Sequence, residues 1–179
     1  MMVSCFTSSR ESPRDFLYLV VVFILSFSTK ISLWIREWVT NQFYGFANES
    51  MDERLFFPAT QRNRLAIGEV LSEFLPKRGC ILEIGSGSGE HAVTFQDMFP
   101  QILWQTSDPD ASCRKSISSW ISHYHLSSKM PEPIDLDVKQ RPWQVKTKFC
   151  STFQCVICIN MIHIASWDCT KALFEGSKD

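Results

Sequence analysis

The chain has 179 residues, of which 45% are hydrophobic and 21% charged, and its formal net charge is -1 at pH 7. That length holds one ordinary domain with an appendage, the composition is that of a globular protein, and the near-neutral charge excludes a general attraction to nucleic acid. Seven cysteines at positions 5, 80, 113, 150, 155, 158 and 169 form no framework of paired spacings. The odd count argues further against a disulfide scaffold, so a reducing compartment is expected.

Residues 16–27 (FLYLVVVFILSF) are almost wholly apolar, and no charge follows until Lys30. Such a run is shorter than the ~20 residues that cross a bilayer but suits a signal-peptide core. Extending it to residue 35 reaches spanning length by accepting Lys30, which can snorkel toward an interface. Arg10 and Arg14 are offset by Glu11 and Asp15, so the leader lacks the positive bias of a secretory signal. Three readings of residues 1–50 stand: an uncleaved membrane anchor, a signal peptide, or upstream sequence translated from the wrong start, Met51 being itself a possible start. The chain divides accordingly into a hydrophobic extension, 1–50, and an enzyme-like domain, 51–179. A cytoplasmic protein is expected, with membrane anchorage through residues 16–35 as the alternative.

From Met51 the elements follow in alternation. Residues 61–75 carry Leu65, Ile67, Val70, Leu71, Phe74 and Leu75 mostly on one helical face, and Pro76 with Gly79 ends the helix. Residues 80–84 are the first strand. The turn after it, Gly85-Ser86-Gly87-Ser88-Gly89, has glycine at alternate positions, which lets backbone approach a small polar ligand at the strand's carboxyl end. The spacing is not the G-x-G-x-x-G of dinucleotide sites, and Glu90 at the start of the next helix disfavours a diphosphate. A helix over 91–99 is stopped by Pro100, and residues 102–106 form the second strand.

Asp108 ends that strand, 19 residues beyond Gly89, where doubly wound nucleotide-binding folds place an acid on ribose hydroxyls. Asp110 is the weaker candidate, because the Pro109 turn leaves either acid free to solvate or to cap the helix over 112–126. A short strand over 134–138 brings Asp135 and Asp137 to the same side. The fourth strand, 153–159, contains Cys155 and Cys158, but strand residues three apart face oppositely, so the pair reads as core and no metal site is expected. Asn160 and His163 follow it. His163 can take a proton from a substrate hydroxyl, thiol or amine, or be a satisfied structural histidine; His91 either contacts the cofactor from the first turn after the glycine loop or simply sits on the surface. A last helix spans 167–175, with Ser166 as N-cap and Gly176 as stop. Alternating strands and helices imply an α/β, doubly wound, Rossmann-like parallel sheet.

Glu83-x-Gly85-x-Gly87-x-Gly89 resembles the first motif of class I S-adenosylmethionine (SAM)-dependent methyltransferases. More narrowly, residues 56–175 resemble the methyltransferase-like domain of unknown function 938 family. This rests on Pro58-Ala-Thr-Gln-Arg62-Asn63, Glu83 to His91, Trp104-Gln-Thr-Ser-Asp108, Leu136-Asp-Val138 and Cys158-Ile-Asn-Met-Ile-His163. The resemblance implies SAM as cofactor, methyl transfer to an unidentified acceptor, and a site in which Gly85, Ser86, Gly87 and Gly89 line the methionine part. Glu83 orders the turn from beneath, Asp137 receives the adenine amino group, and Val138, Asn160 and His91 complete the cofactor contacts. Arg62 and Asn63 fold over the site as a lid, or simply initiate the helix. The segment Asn160-Met161-Ile162-His163 is not the Asn-Pro-Pro-Tyr sequence used for amide or adenine nitrogens, which puts those acceptors in doubt.

The family's sheet has strand order 3-2-1-4-5-7-6, and this chain is expected to supply its first four strands, 3-2-1-4. A truncated product follows, with strand 153–159 as an open edge able to pair with another copy. The alternative function is a non-catalytic cofactor-binding or interaction domain. A nicotinamide-dependent oxidoreductase is disfavoured by the glycine spacing.

Overall fold

A computed structural model describes residues 2–7, 18–23, 52–143, 145, 147, 150 and 152–178. The elements, in chain order, are β1 (Met2–Thr7), β2 (Tyr18–Phe23), α1 (Pro58–Phe74), β3 (Gly79–Ile84), α2 (Glu90–Met98), β4 (Ile102–Ser107), α3 (Ala111–His123), β5 (Cys155–Ile159), α4 (Met161–Ile164) and α5 (Trp167–Gly176). Helix α1 starts three residues earlier than its apolar periodicity suggests. Pro58 opens it, a position where a preset φ and a missing N–H cost nothing.

The sheet order is β1-β2-β5-β3-β4. At its centre β3 pairs in parallel with β4, Ile81 opposite Trp104, and with β5, Ile81 opposite Cys155. Successive side chains on these strands enter different cores, as the pleat requires. On one face Ile81, Trp104, Cys155 and Ile157 pack with Ile67 and Leu71 of α1, Phe95 of α2 and Ile117 and Trp120 of α3. On the other, Leu82, Ile84, Val156 and Cys158 pack with Leu136, Val138 and Leu173 of α5. The two cysteines of the C-x-x-C segment therefore lie in different cores, both fully buried. Burial pushes the Cys158 thiol up to about 12, so it stays protonated and packs as a small hydrophobe.

Three expectations are corrected. The strand expected over 134–138 reduces to one parallel bridge between Ser107 and Ile134, beside β4. Its two acids draw the backbone away from a ladder: Asp135 pairs with Arg114 at 3.0 Å, and Asp137 turns onto the amide of Lys139 at 3.0 Å. Nor is the edge at 153–159 open for pairing with another copy. Strand β2 lies parallel along β5, Tyr18 opposite Cys155 through Val22 opposite Ile159, and β1 pairs antiparallel with β2. Lastly, Cys80 and Cys150 are joined by a disulfide, where the irregular spacing predicted none. The bridge ties the segment before β5 to the start of β3, next to the hydrogen bond from Gln154 N to Cys80 O at 2.9 Å.

Within the apolar run 16–35, residues 18–23 form strand β2, and the rest lies outside the described residues. Among the described residues no helix is long and apolar enough to cross a membrane.

Candidate functional site

The glycine turn, Asp108 and Asn160 lie at the carboxyl ends of β3, β4 and β5 respectively, where parallel sheets leave a crevice. After β3 the backbone enters the left-handed region at each alternate residue: φ is 66° at Gly85, 57° at Gly87 and 91° at Gly89. At Gly89 a Cβ would also meet the backbone of Ile117 at 3.0 Å, so the third glycine is required twice over.

The turn is locked to the neighbouring strand by Ser107 and Asp108. Ser86 N donates to Ser107 O at 2.9 Å, and Ser107 N donates to Ser86 Oγ at 3.2 Å. Gly87 N donates to Asp108 Oδ2 at 2.9 Å, and Asp110 N donates to Asp108 Oδ1 at 2.9 Å. Each carboxylate oxygen of Asp108 thus keeps one lone pair for a further donor. Asp108 is buried, and that burial raises its pKa above the ordinary carboxylate value against the lowering effect of the two amides.

Asp110 takes the other role open to it: its Oδ1 accepts from Ser112 N at 2.7 Å and Cys113 N at 3.3 Å, capping α3. The Ser112 hydroxyl, donating to the same oxygen at 2.6 Å, and then these amides hold its carboxyl below the usual range. Asp110→Ala is expected to lower stability by about 1 kcal/mol in a denaturant melt while leaving ligand binding intact.

Glu83 lies beneath the turn, 2% exposed, with Oε2 accepting from Trp104 Nε1 at 3.1 Å. Burial pushes its pKa up to about 7, against the hydrogen bond from Trp104. Its backbone oxygen accepts from Ser86 Oγ of the turn at 3.5 Å and from Ser107 Oγ at the end of β4 at 2.7 Å. His91 is also buried, its ring stacked 5.5 Å from Phe95, and its Nε2 is 2.9 Å from Asn63 Oδ1. Burial lowers its pKa to about 4, so the ring is neutral at pH 7 and donates to the amide oxygen of Asn63. Arg62, one residue earlier on α1, is exposed.

Asp137 is half-buried and Val138 buried, with Val138 O accepting from Trp143 Nε1 at 3.0 Å. After β5, Asn160 has φ 64° and opens α4. The Cβ of the next residue, Met161, lies 4.0 Å from where a Cβ on Gly85 would sit, which brings the end of β5 to the turn. His163 and Ile164 of α4 are exposed, Ile164 to 68%.

Two residues of the crevice were not anticipated from the sequence. Glu90, 1% exposed, accepts at Oε2 from Phe57 N at 2.7 Å and Ser88 Oγ at 3.0 Å, while its Oε1 has no partner among the described residues. Phe57 places its ring 3.5 Å from the position of a Cβ on Gly87. The available signal was an acid at the first position of a helix directly after a glycine turn, a place for a backbone-binding carboxylate. Elsewhere, a cleft of about 790 Å³ lies on the outer side of α3, lined by Arg54, Arg114, Lys115, His123, Glu53 and Glu132 among others, and it contains none of the expected site residues.

The sequence profile of a family described as "Protein of unknown function (DUF938)" matches residues 54–179. Among solved structures, magnesium protoporphyrin IX methyltransferase from Synechocystis PCC 6803 with bound SAM superposes with a TM-score of 0.53 at 12% identity, covering 87% of this chain and 73% of that one. The same enzyme with bound SAH (S-adenosylhomocysteine) gives 0.52 at 15% identity, covering 83% and 63%. A putative S-adenosyl-L-methionine-dependent methyltransferase from Methanococcus maripaludis gives 0.50 at 14% identity, covering 73% and 61%. The chain spans only 25% and 47% of two other solved structures that it matches. At these identities the likeness establishes the fold: a Rossmann-like α/β sheet of the class I methyltransferase type, with β4-β3-β5 as its shared parallel centre.

Proposed function

We propose, from the premise that the chain belongs to the DUF938 family, that it binds SAM in the crevice above the glycine turn and transfers its methyl group to an acceptor not yet identified. The observation that carries this reading is the bond from Gly87 N–H to Asp108: the cradle and the acid suited to ribose hydroxyls are locked together at adjacent strand ends. The residues fit the cofactor in two further respects. Among the described residues, chain neighbours aside, nothing lies closer than 4.0 Å to a Cβ position on Gly85, so the turn presents bare backbone there, and Glu90 holds a buried acceptor without a partner among them. Solved proteins of this fold that carry SAM or SAH support the same choice.

In this reading the cofactor supplies the electrophilic methyl carbon on its sulfonium. The chain's part is to bind, orient and exclude water. Glycines 85, 87 and 89 with Ser86 hold the methionine part, supported by Glu83, and Asp108 accepts from the ribose. Asp137 and Val138 form the adenine-facing edge, and Asn160, at the end of β5, completes the cofactor contacts. Arg62 and Asn63 cover the site, and the neutral His91, bonded to Asn63, fixes that cover to α2. His163 is the proton acceptor proposed for the substrate. The binding unit is residues 51–179, to which the extension 1–50 lends two strands. Binding without turnover is the second reading, and it keeps the same pocket.

Calorimetric titration of the full chain with S-adenosylhomocysteine and with nicotinamide dinucleotide tests the cofactor. Binding of the first and not the second is expected; the reverse sinks the reading. Transfer of label from methyl-labelled SAM into a cell extract then distinguishes turnover from binding alone.

A further inference from the structure

The segment 54–57, ahead of α1, is held down along its length. Leu55 N donates to Ser116 Oγ at 2.8 Å, and Leu55 O accepts from Trp120 Nε1 at 3.1 Å. On the Trp120 ring, the Arg54 guanidinium sits 4.8 Å from the centroid and Phe56 stands edge-on at 5.0 Å. Ser116 Oγ in turn donates to Ser88 O at 2.6 Å, so α3 grips the segment and the glycine turn through one hydroxyl. At the other end Phe57 N is bonded to the buried Glu90 carboxylate, and the Phe57 ring lies against Gly87.

We infer that residues 54–57 form a strap that closes the cofactor crevice, with Phe57 as a wall of the binding site and Glu90 as the positioning residue that latches it. The inference rests on the proposed SAM site and adds two residues to it. Its physical basis is the division of anchorage. Trp120 and Ser116 tie residues 54–56 to α3, and the Phe57 carbonyl caps α1 by accepting from Thr60 N and Gln61 N, whereas over the turn Phe57 is held by one amide bond and one ring face. That single latch can open and close while the rest of the strap stays seated. A ligand over Gly87 is then enclosed by the ring, and Glu90 Oε1 remains available to a hydroxyl or ammonium of that ligand. Release of an enclosed cofactor requires the latch to break, so the strap governs release more than it governs the chemistry.

The test uses the full chain and S-adenosylhomocysteine, with dissociation followed by stopped flow and backbone amide exchange followed at residues 55–57. In the wild type, the ligand should slow exchange at these amides. Phe57→Ala removes the ring but keeps the backbone latch, and Glu90→Ala removes the latch but keeps the ring; each should speed dissociation by about tenfold with little change in association. Glu90→Gln retains an acceptor for Phe57 N and should restore slow release, which a merely structural loss would not. If Glu90→Ala does not fold, Phe57→Ala decides alone. Equal dissociation rates in wild type and Phe57→Ala overturn the strap and leave the cofactor reading standing. Absence of binding in the wild type overturns both.

Discussion

Asp108→Ala is expected to weaken S-adenosylhomocysteine binding by about 1.5–3 kcal/mol, because a charged acceptor of ribose hydroxyls is lost. Geometry adds a second cause to the first. Asp108 Oδ2 also receives Gly87 N–H and Oδ1 receives Asp110 N–H, so alanine leaves two amides without their acceptor and loosens the turn itself. Asp108→Asn separates the contributions. Its single carbonyl oxygen replaces one of two acceptors, and an intermediate loss is expected. Calorimetry on the three proteins, with folding checked by circular dichroism, reads the result. Unchanged affinity in a folded Asp108→Ala would place the ribose elsewhere in the crevice.

The pH dependence of stability should be nearly flat between about pH 4.5 and 6.5 in the wild type, and the flatness should hide two opposed contributions. His91 falls from 6.5 to about 4 on folding, chiefly through burial. The folded ring refuses a proton that the unfolded chain accepts, so its contribution is fully present above about pH 6.5 and is lost as pH falls toward 4. Glu83 rises from 4.5 to about 7, again chiefly through burial. The folded carboxyl keeps its proton, and its contribution is fully present below about pH 4.5 and is lost as pH rises toward 7. Each is on the order of 2–4 kcal/mol, and their slopes have opposite sign over the shared window. Asp108, also raised, acts in the direction of Glu83.

Removing either group should expose the other. Glu83→Gln, whose amide oxygen can still accept from Trp104, should lose stability as pH falls from 6.5 to 4. His91→Gln should gain stability as pH falls from 7 to 4.5. Denaturant unfolding at fixed pH values checks both signs. A flat profile in Glu83→Gln would mean that His91 titrates normally in the folded chain, and with that its role as a neutral tie to Asn63 would fail.

The centre of the fold was legible because its signals are local. Ile67 and Leu71 recur at helical spacing and are fully buried, and the apolar runs at 80–84, 102–106 and 153–159 become β3, β4 and β5. The glycine turn was legible for the same reason: three residues without a Cβ, each at positive φ, directly after a strand. The strand at 134–138 was misjudged on local grounds too. Leu136 and Val138 are buried as an alternating pattern predicts, but the acids that alternate with them, Asp135 and Asp137, found Arg114 and a backbone amide in place of a ladder.

What the sequence by itself determined is the parallel α/β centre, the positive-φ turn and the acid at the end of the next strand, since each depends on residues within one element or one connection. Only the tertiary structure decided what depends on distant partners. The Cys80–Cys150 bridge joins residues 70 apart, β2 covers the edge of β5 from the far end of the chain, and Glu90 meets Phe57 across 33 positions. Periodicity and motif spacing carry no information about which remote backbone amide a buried carboxylate will accept. That is set by how helices and strands pack, and packing turned Glu90 from a reason against diphosphate into a contact that holds the chain over the turn.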